Sequence, residues 1–200
     1  LRDLALATSD LLDHRIGGKP VYPYQPDGIW APLAITMERD FTYPASGGRD
    51  LYRRSEYTFW RRTIGPANMF DASSRQVCKV RSSVTNTPLH ALTTLNDPTW
   101  TEAARELAGK AMRSSTDASA RLSLIYRRVL TRSPTDAETK VVRRMLDEQV
   151  SAYRADNAAA KKLLTVGATQ PDATLDPTEH AAWTSLCLAI FNLDEALTRE

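Results

Sequence analysis

Cysteine is scarce in this sequence. Cys78 and Cys187 are the only two, and they stand in opposite halves of the chain. No C-x-x-C and no C-x-x-C-H occurs, which excludes a zinc knuckle and a c-type haem attachment site within the chain. A Cys78–Cys187 disulfide and two separate buried thiols both fit this usage. Histidine is nearly as rare: His14, His90 and His180 stand singly, none with a second His or a Cys at ligand spacing, so no metal site is expected. G-x-S-x-G, a phosphate-cradling glycine loop and a Cys–His neighbourhood are all missing. No reaction and no catalytic residue can be assigned on motifs. Long apolar runs are missing too, since a spanning helix needs roughly 18 residues. The 26 basic and 24 acidic residues leave a net charge of +2, which is no whole-domain footprint for nucleic acid or an anionic membrane.

What is present is the composition of a globular domain: 42% apolar and 25% charged residues over 200 positions, enough for a real core. The chain opens on Leu1 inside what reads as a helix, so the expectation is one domain over 1–200, a C-terminal fragment of a larger protein. It falls into two parts, 1–86 and 87–200.

The first part begins with a helix running to about Asp13, on the apolar face of Leu4, Leu6, Ala7, Leu11 and Leu12, ended by Gly17-Gly18. Pro20, Pro23, Pro26, Pro32 and Pro44 then exclude long regular elements. Tyr22, Tyr24, Ile29, Trp30, Leu33, Phe41 and Tyr43 are too apolar for a solvated linker, so this is an ordered loop pinned on the core by its rings. From Arg49 to Arg62 a short helical turn leads into an extended segment. Val77–Val80 is a candidate short strand, which leaves room for a small β-hairpin.

The second part is helical. Ser, Thr or Asp directly before Pro is a helix-start signal, because the oxygen accepts from freed amides and proline loses no hydrogen bond at the first position. It occurs at Thr87-Pro88, Asp97-Pro98, Ser133-Pro134 and Asp176-Pro177. Asp136 follows Ser133 and Glu179 follows Asp176 by three residues, as in a capping box. The helices therefore run over about 88–96, 98–113, 117–131, 134–154 and 177–197, with 155–164 prolonging the fourth. The last is apolar on more than one face, through Trp183, Leu186, Leu188, Ile190, Phe191 and Leu193, and should be central. The fold class is mainly α: a bundle-like C-terminal part with a long ordered aromatic, Pro-rich loop region.

Two groups of residues could carry a site. Arg53, Arg54, Tyr57, Phe59, Trp60, Arg61 and Arg62 combine rings with guanidinium groups, a pattern that stacks bases or sugars and holds anions. The balanced charge favours instead rings in the core and arginines paired with acids. The second group lies in the stretch Thr85–Pro98: Asn86, His90, Asn96 and Asp97, with Asp71 and Glu102 as nearby carboxylates. Asp97 already serves as a helix cap, which weakens its claim as an acid or base.

These stretches also carry a resemblance. Arg2-Asp3, Gly17-Gly18, Tyr24-Gln25-Pro26, Leu51–Ser55, Tyr57–Thr63 and Phe70-Asp71-Ala72 are its first elements. It is densest at Thr85–Leu89 and Ala91–Pro98, with Glu102-Ala103-Ala104-Arg105 following. Tyr126-Arg127, Leu130, Arg132 and Pro134–Glu138 come next, and Asn192–Glu195 closes it. The chain resembles the Planctomycete surface domain family, a C-terminal domain of unknown function in large secreted proteins that often carry cytochrome c-like domains. His90 stands where the family more often has Gln. The resemblance implies an extracytoplasmic location, a multidomain parent whose other domains are the partners, and any haem in one of those domains. It supplies no reaction. It makes a non-catalytic structural or interaction module the leading expectation. A polysaccharide-binding or polysaccharide-degrading domain is the alternative, with Trp30, Tyr57 and Trp60 as sugar platforms and Asp71 and Asp97 as carboxylates.

Overall fold

A computed structural model of the chain describes residues 1–26, 28–29, 43–60, 80 and 86–198. Eight α-helices occur among them: α1 Arg2–Thr8, α2 Pro88–Asn96, α3 Pro98–Ser114, α4 Ala118–Leu130, α5 Asp136–Ala155, α6 Asn157–Leu164, α7 Pro177–Phe191 and α8 Asp194–Leu197. Two 3-10 turns, Gly48–Tyr52 and Ser55–Tyr57, precede an extended segment. The mainly helical expectation holds. No hairpin occurs among the described residues: the first part is tied instead by two isolated parallel bridges, Asp13 with Arg53 and Val21 with Thr58. The candidate strand at Val77–Val80 lies outside the described residues except for Val80.

Three of the four Pro-based starts form as read. Thr87, Asp97 and Asp176 accept from the amides of His90, Thr99 and Glu179, and each is followed by its proline. The fourth shifts by two residues. Thr135, not Ser133, caps α5, and Glu138 reaches back 2.7 Å to the Thr135 amide, a complete capping box. Glutamate is long enough to return to the cap, which the Asp136 side chain paired with Ser133 is not. Asp156 caps α6 through the Ala159 amide, so residues 157–164 are a separate helix and no extension of α5. The last helix breaks as well. The Asn192 side chain donates to the Leu188 carbonyl at 2.9 Å and meets Thr94 Oγ1, and the chain leaves α7 there before α8.

The first helix is shorter than its apolar face suggests. The hydroxyls of Thr8 and Ser9 bond back to the carbonyls of Leu4 and Ala5, and the amides of Leu11 and Leu12 both turn to the Leu6 carbonyl. Asp10, at φ +59, takes the left-handed turn expected of the glycine pair.

The core is built on α3 and α7. Ala103, Ala104, Ala108 and Ala111 keep α3 slim, so α7 approaches closely and Trp100 meets Phe191 edge to face at 5.6 Å. As expected, α7 is central: α3, α5 and α6 pack around it, while α1 and α4 close over α3. Against this body lies the aromatic loop. Tyr22 stacks on Phe59 at 4.8 Å and meets Tyr43 edge-on at 5.4 Å. Among the described residues these rings pack on one another, and the Tyr24 hydroxyl reaches Glu102 on α3; Trp30, Leu33 and Phe41 lie outside the described residues.

Candidate functional site: a buried carboxylate clasp on α3

Glu102 and Arg105 sit three residues apart on the alanine-rich face of α3, where burial is complete. A charged group there must be hydrogen-bonded on the inside. The Tyr52 hydroxyl donates to Glu102 Oε1 at 2.8 Å and the Tyr24 hydroxyl to Oε2 at 3.1 Å. From the other side, the Thr169 amide donates to Oε1 at 2.6 Å. Arg105 completes the arrangement. Its guanidinium donates to the carbonyls of Leu164, Val166 and Thr169 at 2.6, 2.8 and 2.8 Å, and lies 3.6 Å from Glu102.

Gly167, at φ +94, lets the backbone pass over the carboxylate. A Cβ there would lie 2.7 Å from both Glu102 oxygens. Burial and the neighbouring Glu102 raise the Tyr24 phenol to about 12 and push Tyr52 up as well. Both phenols therefore stay protonated as donors across the physiological range. The clasp ties three distant segments to α3.

Asp97 is the N-cap of the same helix. It lines a groove of about 650 Å³ together with Gln25, Pro26, Leu92, Thr93, Asn96 and Pro98. Its carboxylate accepts from the Thr99 amide at 2.8 Å; burial raises its pKa, opposed by the Thr99 hydrogen bonds and the Arg2 charge. Asn96 is exposed, with its side-chain amide on the Leu92 carbonyl at 2.7 Å. Asn86 stands at the other end of α2 and donates to Asp194 at 2.8 Å. His90 is half-buried on α2. The structure thus brings Asn96 and Asp97 to one groove and places Asn86 apart from it.

Among the described residues of the basic-aromatic group, Arg53, Arg54 and Trp60 differ in exposure. Arg53 is buried, with its guanidinium 4.0 Å over the Tyr57 ring and its donors on the carbonyls of Arg15, Gly17 and Lys19. Arg54 is exposed and Trp60 half-buried. Arg61, Arg62, Asp71 and Cys78 lie outside the described residues. Cys187 is a free, buried thiol whose pKa is pushed up by burial.

A protein-family model described as "PSD1: Protein of unknown function (DUF1553)" matches residues 1–146. The chain belongs to the PSD1 family. No curated protein and no solved structure matches it. The matched PSD1 region holds Arg2, Tyr24, Tyr52, Asp97, Glu102 and Arg105, whereas Gly167 and Thr169 come from beyond it. Residues quoted above for the resemblance meet one another within the fold. Arg2, buried, donates to the carbonyls of Arg53 and Leu51 at 2.8 and 2.6 Å, and Asp3 accepts from the Ser55 amide and hydroxyl at 2.9 and 2.6 Å. Arg132, after α4, pairs with Glu138 on α5 and Glu195 on α8, each at 2.7 Å.

Reasoning from sequence named Glu102 only as a nearby carboxylate and missed Tyr24, Tyr52, Arg105, Gly167 and Thr169 as its partners. The available signal was a Glu and an Arg, one turn apart, on a face otherwise made of alanine and leucine. Among the described residues, no group of three or more His, Cys, Asp or Glu side chains is arranged to hold a metal, and no helix is long and apolar enough to cross a membrane.

Proposed function

We propose that this domain is a non-catalytic structural and interaction module of a secreted multidomain protein. Its partners are other domains of the same polypeptide, and the parent carries a c-type cytochrome domain elsewhere, where its haem resides. The observation that carries the reading is the engagement of Arg2, Glu102 and Arg105. These charged residues are buried and joined to backbone and side chains of distant segments, the chemistry of an interlock and not of a substrate-facing acid or base. The planctomycete, extracytoplasmic and cytochrome context rests on the motif resemblance.

The test is made on the full-length native protein. An absorption spectrum, oxidised and then reduced with dithionite, should show a Soret band and sharp reduced bands. Asp97→Asn and His90→Ala should leave any activity of that protein unchanged. Loss of activity in either variant at an unaltered melting temperature would overturn the non-catalytic reading, and a spectrum without haem bands would remove the cytochrome context.

A further inference from the structure

Helix α5 is the longest among the described residues, at 20 residues or about 30 Å, yet none of its residues is buried. Its inner side rests on the core through Val142, Met145 and Leu146, which are half-buried. Its outer side carries six exposed residues, Ala137, Val141, Arg144, Glu148, Ala152 and Ala155. Spacings of four and three residues put them on one stripe of the helix. Val141 is 57% exposed in that stripe. Arg144 and Glu148 occupy its middle, and among the described residues neither is held in an ion pair. Arg before Glu at this spacing is the weaker orientation for pairing within one helix, which leaves both charges available to a partner. The stripe is also self-complementary. Arg144 and Glu148 stand two residues to either side of Leu146, and Ala137 and Ala155 nine to either side. Turned end over end, the stripe therefore sets arginine against glutamate, Val141 against Ala152 and alanine against alanine.

We propose that this face of α5 is a self-association surface, on which a second copy of the chain lays its own α5 antiparallel. The contact is isologous: Arg144 of each copy meets Glu148 of the other, so the ion pair is made twice about one two-fold axis. Small side chains at both ends of the stripe let the helices approach, and the charges set the direction. A parallel pairing would bring Arg144 onto Arg144 and Glu148 onto Glu148, and like charges oppose it. The surface goes beyond the interaction-module reading by adding a second copy as partner, and it can fail without touching that reading.

The experiment is sedimentation equilibrium of the full-length protein over a range of concentrations. The mass should rise from one chain to two. Arg144→Glu and Glu148→Arg each turn both attractive contacts into repulsive ones and should weaken the dimer by roughly tenfold or more. An equimolar mixture of these two variants should regain the two-chain mass, because each copy then meets the opposite charge on the other. A chain carrying both reversals should dimerise as the wild type does, and Lys161→Glu on α6 should change nothing. Arg144 and Glu148 are exposed, so neither reversal disturbs the core. Recovery in the mixture cannot come from contacts within one helix, which separates the interface from any effect on helix stability. A one-chain mass for the wild type at every concentration, an undiminished dimer in either single reversal, or no recovery in the mixture would overturn the proposal.

Discussion

Gly167 rests directly on the Glu102 carboxylate, with room between them for a hydrogen atom and not for a methyl group. Its φ of +94 is in the region that side-chain-bearing residues avoid. Gly167→Ala should therefore destabilise the domain by about 2 kcal/mol or more, from strain and the collision together. Gly47 has an ordinary φ and open space at its Cβ, so Gly47→Ala should be close to neutral. Urea denaturation of the pair checks this; equal midpoints would contradict the clasp geometry.

The clasp should also show coupling. Glu102→Gln presents an amide NH₂ to groups that donate, and removing an acceptor from buried donors costs about 1–3 kcal/mol. Tyr52→Phe, which deletes one donor and leaves the ring, should cost about 1 kcal/mol. The double variant should cost less than the sum of the two singles, because the Tyr52 bond is already lost in Glu102→Gln. Strict additivity in equilibrium unfolding would mean that the two groups do not interact.

Cap assignment gives a local test. Thr135→Ala should cost about 1 kcal/mol, the usual value of an N-cap, whereas Ser133→Ala should be nearly silent. The opposite ranking in thermal melts would restore Ser133 as the start of α5.

Acid sensitivity should run through His180. The ring is buried, and its Nε2 lies 3.0 Å from the Arg105 carbonyl, so the neutral ring carries its proton there. Burial lowers its pKa; the hydrogen bond to Arg105 opposes the shift, the Arg105 charge adds to it, and Glu106 and Asp172 oppose it. A base whose folded pKa is below its unfolded value binds protons better when unfolded. Its contribution is therefore complete above about pH 6.5, the unfolded value, and declines as pH falls toward the lower folded pKa. Melting temperature should fall between pH 7.5 and 5 in the wild type, and fall less steeply in His180→Gln. Parallel curves for the two proteins would exclude this role.

The legible parts of the fold were the local ones. Thr87-Pro88, Asp97-Pro98 and Asp176-Pro177 mark helix starts because cap and amide are neighbours in sequence, and α7 announces its centrality by being apolar on more than one face. The end of α1 was hidden, since Asp10 turns left-handed where Gly17-Gly18 looked better suited. The break at Asp156 lacks a proline, so the sequence there looks like continuous helix. The clasp was beyond such reasoning for a different reason. Tyr52, Thr169 and Tyr24 reach Glu102 across 50, 67 and 78 residues, and no periodicity encodes contacts of that range. Of the candidate residues that the structure describes, Asn96 and Asp97 share a groove, and both belong to the one stretch where the signals are densest.

The spacing of those same partners sets an order of events. When α3 first leaves the ribosome, Tyr24 and Tyr52 are already available to Glu102, but Thr169 and the carbonyls that hold Arg105 are not yet made. The central helix α7 comes later still. Contacts between such distant positions form only after much of the chain's entropy has been lost, so they slow folding and make it cooperative. Until Leu164, Val166 and Thr169 are synthesised, α3 carries a half-bonded acid and an ungripped arginine on the face destined for the core. The domain can commit to its interior only once α7 has been made, and then as one unit.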